Sequence, residues 1–365
     1  MKILVVSNYR GFHICRPEAE IFVGLKEMGH DITVMTYPDA DYIERFQEKG
    51  IRIIPNHPSR RYDPDFIRFL REELKQGDYD ILQLYNKKAI SNGVRSAKGI
   101  NVKVVVYRGA AWNMSWLNPI NYLKFFHPRV DYAICNSEEI REKFLAVPFY
   151  NPKNAITIHK GHDTAWYKNI KPYDIRKELG IDRDDLLFVN VANNRRFKAI
   201  PDLMKAMKYV PKESMISLLV IGSEMETSEI MRLRDESGNA DKIHFLGYRK
   251  DAINIVASCD IFVLPSIGGE SLTKSVIEAM SLGVVPMISD IRGNEPLVDD
   301  GIIGFVFQKS NPQELAEKIL FAYENQHMLP EMSKKAQSKI DTDIHTSETV
   351  KRFDEFYNSI IQSPH

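Results

Sequence analysis

Cysteine is scarce in this sequence, which has only Cys15, Cys135 and Cys259 among its 365 residues. Their number is odd, they lie far apart, and none has the close spacing of zinc ligands. These observations argue against a disulfide framework and against a structural zinc site. Because the N-terminal run MKILVVSNYR has too few apolar residues for a signal peptide, we expect reduced thiols in a cytoplasmic protein.

Long hydrophobic runs are also missing, since no stretch approaches the roughly 18 apolar residues of a membrane span. Nothing in the sequence is therefore expected to cross a bilayer. The overall content, 44% hydrophobic and 27% charged residues, is typical of a globular protein that folds in water. The length is enough for two domains, each with a hydrophobic core of its own.

The sequence has no net charge, but its charges are divided unevenly. Residues 1–166 contain 24 Lys and Arg against 19 Asp and Glu, whereas residues 167–365 contain 25 against 30. Two interpretations of the basic half stay open: an ordinary solvated surface, or a surface that attracts an anionic lipid or an anionic acceptor. Nucleic acid is not favoured as a partner, because the excess is small and no binding module accompanies it. The basic residues crowd one region, at Arg60, Arg61, Arg68, Arg71, Lys75, Lys87, Lys88, Arg95 and Lys98.

Short apolar runs alternate with helical patterns along the chain. The runs are continuous, as expected of parallel strands that are buried on both faces. They lie at 2–8, 31–36, 51–55, 80–85, 102–109 and 131–137, and, after a pause near 164–180, at 186–194, 216–222, 243–247, 260–266 and 284–289. The pattern predicts an α/β protein with two doubly wound halves. Ligands bind such sheets beyond the carboxyl ends of the strands, so the natural site is a cleft between the halves.

Two helices are predicted with defined ends or faces. Arg16, Pro17 and Glu18 indicate the start of the first helix, because proline suits the first turn and glutamate suits the positive end of the helix dipole. The last helix, at 349–361, has an apolar face that needs a partner, and we expect it to pack back across the domain junction. That face consists of Phe353, Phe356, Tyr357 and Ile360.

The turns after two strands differ in their chemistry. The first strand is followed by NYRGFHICRPE, which has no GxGxxG motif and so argues against a standard dinucleotide site. The turn after the strand at 186–194 is basic, with Arg195, Arg196 and Lys198 ahead of the next helix. Cations beside a helix N-terminus suit a diphosphate, although an ordinary solvated basic turn is the open alternative.

The stretch GGESLTKSVIEAMSLG, residues 268–283, places Glu270 in a loop after a strand and Glu278 on the following helix. Ser271 and Thr273 can cap that helix. A carboxylate on the helix could accept two hydrogen bonds from a ribose diol, a carboxylate in the loop could hold sugar hydroxyls, and the helix N-terminus would face phosphates. One element could therefore hold a whole sugar nucleotide. The residues expected to bury the opposite face of the helix are Val276, Ala279 and Met280.

This stretch belongs to a longer run, 243–307, that resembles the retaining glycosyltransferases of family 4. The similarity rests on the E-x7-E spacing, the EAMSLG helix end and the DGxxG turn at 300–304. It is looser in the first half, through 27–36, 135–144 and 161–163. The resemblance implies an α/β protein of the GT-B architecture: two Rossmann-like domains facing a central cleft, with the C-terminal helix packed back on the N-terminal domain. The expected domains are an acceptor-side domain at 1–165, a nucleotide-sugar domain at 166–345 and the returning helix at 346–365.

The resemblance also implies an activity and roles for residues. The family transfers a sugar from a nucleoside diphosphate sugar, with UDP or GDP as the nucleotide, to a glycan or lipid-linked acceptor, as in surface polysaccharide or lipopolysaccharide synthesis. No metal and no other cofactor is implied. Glu278 would hold the ribose, Lys198 the diphosphate, and Glu270 would lie along the donor sugar. The amides of Ser271, Leu272 and Thr273 would lie beside that sugar as well.

Several positions depart from the family pattern. Ser271, Leu272 and Thr273 stand where Gly-Phe-Gly is common, and Asn193 stands where an arginine is common, so Arg195 or Arg196 would take its place at the diphosphate.

Arg108 ends the strand 102–109, where the family often has a histidine. An arginine cannot act as a base, so Arg108 is predicted to clamp a phosphate or carboxylate, or to pair with a carboxylate such as Glu270. Glu270 and Arg108 are the predicted catalytic residues.

Two further questions stay open from the sequence. A sugar-nucleotide epimerase and a non-catalytic sugar-nucleotide-binding protein are the alternatives to a transferase, and only transfer requires an acceptor.

The stretch AAWNMSWLNPINYLKFF, residues 110–126, either inserts into the inner face of an anionic membrane or supplies core aromatics. Its aromatic candidates for insertion are Trp112, Trp116, Phe125 and Phe126.

Overall fold

The computed structural model describes residues 1–111, 114–148 and 150–362. Trp112, one of the predicted membrane-inserting aromatics, lies outside the described residues. The chain forms two compact units, an N-terminal unit of Met1–Gly161 with Ile344–His365 and a C-terminal unit of His162–Asp343. Within the described residues, no helix is both long and apolar enough to cross a membrane.

The N-terminal unit is built on a parallel sheet of seven strands in the order β3-β2-β1-β4-β5-β6-β7. The central strands are buried on both faces, which is why their sequences are almost continuously apolar. The strands are β1 (Lys2–Val6), β2 (Asp31–Met35), β3 (Arg52–Ile54), β4 (Ile81–Leu84), β5 (Lys103–Arg108), β6 (Tyr132–Cys135) and β7 (Ala155–Thr157). The helices between them are α1 (Phe12–Glu27), α2 (Ile43–Glu48), α3 (Pro64–Gly77), α4 (Lys87–Ser96), α5 (Pro119–Tyr122) and α6 (Glu138–Leu145).

The C-terminal unit repeats this plan with six parallel strands in the order β10-β9-β8-β11-β12-β13. Its strands are β8 (Leu186–Val191), β9 (Ile216–Ile221), β10 (Ile243–Gly247), β11 (Ile261–Leu264), β12 (Val285–Ser289) and β13 (Phe305–Phe307). Its helices are α7 (Ile175–Leu179), α8 (Ile200–Met207), α9 (Ser228–Glu236), α10 (Ala252–Val256), α11 (Lys274–Ser281), α12 (Pro312–Glu324) and α13 (Leu329–Asp343). Two Rossmann-like units confirm the predicted α/β class.

The last helix, α14 (Thr346–Gln362), packs against α1 in the N-terminal unit, as predicted. Phe353 and Tyr357 are fully buried there, and the Tyr357 hydroxyl donates to Gln83 Oε1 at 2.8 Å. Gly24 makes the close approach of the helices possible, because a Cβ at this position would lie 2.5 Å from Val350 Cγ2.

The predicted start of the first helix at Arg16 to Glu18 is wrong. Helix α1 begins at Phe12, and Pro17 lies inside it. Gly11 has φ of +82°, and its carbonyl accepts from the amides of Ile14 and Cys15 at 2.8 and 3.0 Å, which closes the first turn early. Glu18 faces other side chains instead of capping the helix.

Two strands were not predicted from the sequence, β7 and β13. Each has three residues and lies at the edge of its sheet, paired on one side. β3 is also a three-residue edge strand and was predicted, so short length alone does not explain why β7 and β13 were missed.

Candidate active site

The loops after β8 and β11 meet at the carboxyl edge of the C-terminal sheet. The amide of Ile267, after β11, donates to the carbonyl of Phe197, after β8, at 2.8 Å. The Ser289 hydroxyl, at the end of β12, donates to the carbonyl of Ser266. Since neighbouring parallel strands end at the same edge, these bonds join three strand ends into one surface.

Lys198 and Glu270 form an ion pair on this surface. The Lys198 side chain is 13% exposed and that of Glu270 is 11% exposed, so both charges are largely shielded from water. Glu270 also accepts from the Ser266 hydroxyl at 2.9 Å. The structure thus brings together the residue predicted for the diphosphate and the residue predicted for the donor sugar. At this degree of burial, either charge would destabilise the folded protein if its partner were removed.

The loop at 271–273 is held tightly against the loop after β12. The Leu272 amide donates to the Gly293 carbonyl at 2.7 Å, and the Thr273 amide donates to Asn294 Oδ1 at 2.9 Å. A Cβ on Gly293 would lie 2.0 Å from the Glu270 carbonyl, so this approach requires glycine. A donor sugar could reach the amides of Leu272 and Thr273 only by displacing these bonds. Ser271 is buried in the same loop.

Thr273 is the residue before helix α11, but the predicted capping by its side chain is wrong. Its hydroxyl donates to Asn294 Oδ1 at 2.9 Å instead of accepting from an amide of the helix. Asn294 is completely buried and takes both bonds from Thr273, which orients the start of the helix. Sequence reasoning missed this residue, since it lies in a different loop.

Glu278 projects from the side of α11 that is not in the core. Its side chain is 18% exposed and pairs with Lys274, four residues earlier. The predicted buried face is confirmed, since Val276, Ala279 and Met280 are fully buried. Lys274 is a residue that the sequence-based interpretation missed, although the spacing of four between lysine and glutamate is typical of helix ion pairs.

Arg195 and Arg196 are exposed in the turn after β8, next to Lys198. Within the described part of the chain, neither side chain forms an ion pair. The neighbouring loop is fixed by Gly222, where a Cβ would lie 1.7 Å from the Ala192 carbonyl. Two exposed cations next to Lys198 leave this edge able to accept an anion.

Arg108 lies in the N-terminal unit, at the end of β5 as predicted. Its guanidinium lies over the Phe125 ring, 4.8 Å from the centroid, and burial lowers its pKa. It lines a cavity of about 710 Å³ at the carboxyl edge of that sheet. Phe125 and its neighbour Phe126 are buried, so of the two interpretations left open for residues 110–126, core aromatics is the one that holds for these two.

The same cavity contains a charged pair that sequence reasoning missed. Glu18, which is buried, accepts from the Ser7 hydroxyl at 2.5 Å and pairs with Lys160 Nζ at 2.9 Å. Lys160 also lies over the Tyr107 ring, 4.5 Å from its centroid. Burial raises the pKa of Tyr107, and the Glu18 carboxylate raises it further, so this tyrosine stays protonated. Nothing in the spacing of residues 18 and 160 along the chain could have indicated the pair.

Two family models together account for most of the chain. The model described as Glycosyltransferase Family 4 matches residues 19–166, and the model described as Glycosyl transferases group 1 matches residues 173–339. One curated relative is the N,N'-diacetylbacillosaminyl-diphospho-undecaprenol alpha-1,3-N-acetylgalactosaminyltransferase of Campylobacter jejuni, 22% identical over 90% of this chain and 91% of its own. Another is the UDP-Gal:alpha-D-GlcNAc-diphosphoundecaprenol alpha-1,3-galactosyltransferase of Escherichia coli, 24% identical over 79% of this chain and 77% of its own.

A similar solved structure is that of HepE from Anabaena in complex with UDP. It superposes with a TM-score of 0.77 at 19% identity, covering 98% of this chain and 100% of its own. At this identity the likeness establishes the fold, which is GT-B.

Proposed function

The chain belongs to the family 4 type of glycosyltransferases with the GT-B fold, and we propose that it moves a hexose from a UDP-sugar to a lipid-linked glycan with retention of anomeric configuration. The observation that carries the proposal is the shielded Lys198–Glu270 pair at the carboxyl edge of the C-terminal sheet. The two groups neutralise each other. A ligand that carries a diphosphate and a sugar ring offers an anionic partner to Lys198 and hydroxyl groups to Glu270.

The donor would exchange partners with this pair. Its diphosphate competes for Lys198, with Arg195 and Arg196 close by, and Glu270 is then free to accept hydrogen bonds from sugar hydroxyls. Glu278, in the second turn of α11, accepts from the ribose diol. A neutral pair therefore changes into a site that matches both halves of the donor, which makes binding selective for the intact sugar nucleotide.

The reaction we propose is a front-face displacement. The bond between C1 of the sugar and the phosphate oxygen breaks, the acceptor hydroxyl oxygen bonds to C1 on the same face, and the leaving phosphate takes up the proton. Negative charge grows on the leaving diphosphate, where Lys198 stabilises it. Because the lysine is fixed by the fold, little reorganisation is needed when the charge develops.

The choice of UDP and of a lipid-linked acceptor is supported by similar proteins. The relatives in Campylobacter jejuni and Escherichia coli are both named for acceptors on diphospho-undecaprenol, the latter also for a UDP-sugar. The structure of HepE contains UDP.

The test is a transfer assay with UDP-sugars and GDP-sugars, with and without a glycan on diphospho-undecaprenol. We expect release of UDP only when the acceptor is present, and a product whose anomeric configuration, read by NMR, equals that of the donor. An inverted product would contradict retention. Conversion of the donor without an acceptor would indicate an epimerase or a hydrolase instead.

A further inference from the structure

The cavity of the N-terminal unit lies where three neighbouring strands of its sheet end. Ser7 follows β1, Tyr85 follows β4 and Tyr107 lies near the end of β5, and all three residues line the cavity. Ligands of parallel sheets bind at this edge. The residues proposed to bind the donor belong to the C-terminal unit, so this cavity is a separate place for a ligand.

The ion pair of Glu18 and Lys160 is held in a fixed position on the wall of this cavity. Glu18 is 9% exposed, and its two carboxylate oxygens accept from Ser7 Oγ at 2.5 Å and from Lys160 Nζ at 2.9 Å. The Lys160 amide donates at 2.9 Å to Asn136 Oδ1, which also accepts from the Tyr107 hydroxyl at 2.8 Å. Bonds from several segments of the chain thus fix the pair before any ligand binds.

The pair keeps hydrogen-bonding capacity on the side of the cavity. An ammonium has three donors, and Lys160 gives one of them to Glu18. The rings of Tyr85 and Tyr107 cover part of the ammonium, with centroids 5.3 and 4.5 Å from Nζ. The bonds from Ser7 and Lys160 leave lone pairs on the Glu18 carboxylate. The Lys160 side chain is 25% exposed, so a ligand in the cavity can use these groups.

An ion pair of this kind matches a hydroxyl group better than an anion. A hydroxyl can accept from the Lys160 ammonium and donate to the Glu18 carboxylate at the same time. A phosphate or a carboxylate would be attracted by the lysine but repelled by the glutamate. Ile14 and Phe125 line the same cavity and supply apolar surface for the ring that carries the hydroxyl.

We propose that Glu18 and Lys160 bind a hydroxyl group of the acceptor's terminal sugar, and that they select a neutral sugar over one with a carboxylate or phosphate at that position. The proposal deepens the proposed function, on which it rests for the word acceptor. Lys87 and Lys88 line the cavity as well. Binding of an anion instead of a sugar is therefore the outcome that the experiment has to distinguish.

The variant that tests the pair is Glu18→Gln/Lys160→Met. It removes both charges together, so that neither is left buried without its partner. The matched control is Glu27→Gln/Lys49→Met, which removes another lysine paired with a glutamate of α1, at 2.5 Å. The side chains of this control pair are 57% and 32% exposed, and neither residue lines the cavity.

The measurement is an NMR titration of the full chain, in the presence of UDP, with five probes. Four are neutral sugars, the methyl glycosides of glucose, galactose, N-acetylglucosamine and N-acetylgalactosamine, and the fifth is inorganic diphosphate. We expect at least one glycoside to bind the wild type and the control, and to bind Glu18→Gln/Lys160→Met about tenfold or more weakly, because hydrogen bonds to charged groups are lost. Diphosphate should bind all three proteins equally.

A wild type that binds none of the glycosides, or equal glycoside affinity in the three proteins, would overturn the proposal. Loss of diphosphate affinity with unchanged glycoside affinity would assign the pair to an anion and overturn it as well. Monodeoxy analogues of the bound glycoside keep the test valid if the variant does not fold. One of them should bind the wild type about tenfold more weakly, and equal binding of the whole series would contradict recognition of a hydroxyl.

The outcome is independent of the outcome for the proposed function. In the transfer assay, Glu18→Gln/Lys160→Met should raise the KM for the acceptor and leave the KM for the UDP-sugar unchanged. If the wild type transfers no sugar but glycoside binding is lost in the variant, the sugar site stands and the transferase proposal fails. If the variant transfers sugar with the wild-type acceptor KM and binds glycosides like the wild type, the sugar site fails alone.

Discussion

Lys198 and Glu278 are predicted to recognise different parts of one ligand, and nucleotide binding separates their roles. Lys198→Met should weaken UDP binding by about ten- to hundredfold, because it removes a charged partner of the diphosphate, and should leave uridine binding unchanged. Glu278→Gln should weaken UDP and uridine together, since both contain the ribose. Titration calorimetry measures all four affinities.

Two exposed residues of the C-terminal unit serve as matched controls for this pair. Lys208→Met removes a lysine at the far end of α8, and Glu317→Gln removes a carboxylate on α12. Neither should change either affinity. Equal losses of UDP and uridine in Lys198→Met would rule out a phosphate contact for this lysine.

His57 gives the N-terminal unit a pH-dependent stability. Its ring is buried, which lowers its pKa to about 4, and it lies within hydrogen-bond distance of the Pro58 carbonyl and of Asn86 Nδ2, at 3.1 and 3.0 Å. The unfolded chain takes up a proton near pH 6.5 and the folded chain near pH 4, so the unfolded state binds more protons between these values. Stability contributed by neutral His57 is therefore present above pH 6.5 and is lost as the pH falls.

The size of this effect is measurable by urea unfolding at pH 7 and pH 5. The wild type should lose on the order of 2 kcal/mol more than His57→Gln over this interval, from the linkage of a single buried histidine. Parallel curves for the two proteins would show that the folded and unfolded states bind the His57 proton equally, so that folding does not lower its pKa.

At the scale of elements, the contact of α1 with α14 depends on Gly24. Gly24→Ala should destabilise the wild type by about 1–2 kcal/mol, because overpacking against Val350 outweighs the better helix propensity of alanine. In a Val350→Ala background both Cγ contacts are removed and the Cβ at 3.3 Å stays, so the same change should cost much less. A double-mutant cycle by chemical unfolding measures the difference, and an identical effect in both backgrounds would contradict this packing.

The elements also show how far the sequence determines the fold. Strands buried in the sheet centres and the terminal helix could be predicted, because their apolar patterns are continuous or periodic. The edge strands β7 and β13 were not predicted, although the equally short edge strand β3 was, from its apolar run at 51–55. The early start of α1 was missed because the positive φ of Gly11 determines it more strongly than Pro17.

The residues of the candidate site could likewise be predicted only in part. Glu270, Lys198 and Glu278 could be predicted, since each lies in a motif or turn at a strand end. The ion pair between Lys198 and Glu270 and the bonds of Asn294 are contacts between distant segments, which a single sequence does not reveal.

At the scale of the whole molecule, association with a membrane would place a lipid-linked acceptor near the protein. Around α5, an apolar segment is exposed to solvent, including Leu117 at 71%, with Trp116, Ile120 and Leu123 beside it. We predict that this segment inserts at a bilayer surface, in contrast to the buried Phe125 and Phe126.

Flotation with anionic vesicles tests this segment. Trp116→Ser/Leu117→Ser should reduce the bound fraction severalfold, while Phe321→Ser, which removes an exposed aromatic of α12, should not. Equal flotation of the two variants and the wild type would exclude insertion through this segment.

The central claim is that Glu270, which forms an ion pair with Lys198, acts on the donor sugar. The most direct measurement is the rate of acceptor-dependent sugar transfer by Glu270→Gln, with Glu317→Gln as control. We predict a kcat at least about 100-fold below that of the wild type, since a group aimed at the reacting sugar is lost. The control should keep the wild-type rate, and full transfer activity in Glu270→Gln would contradict the claim.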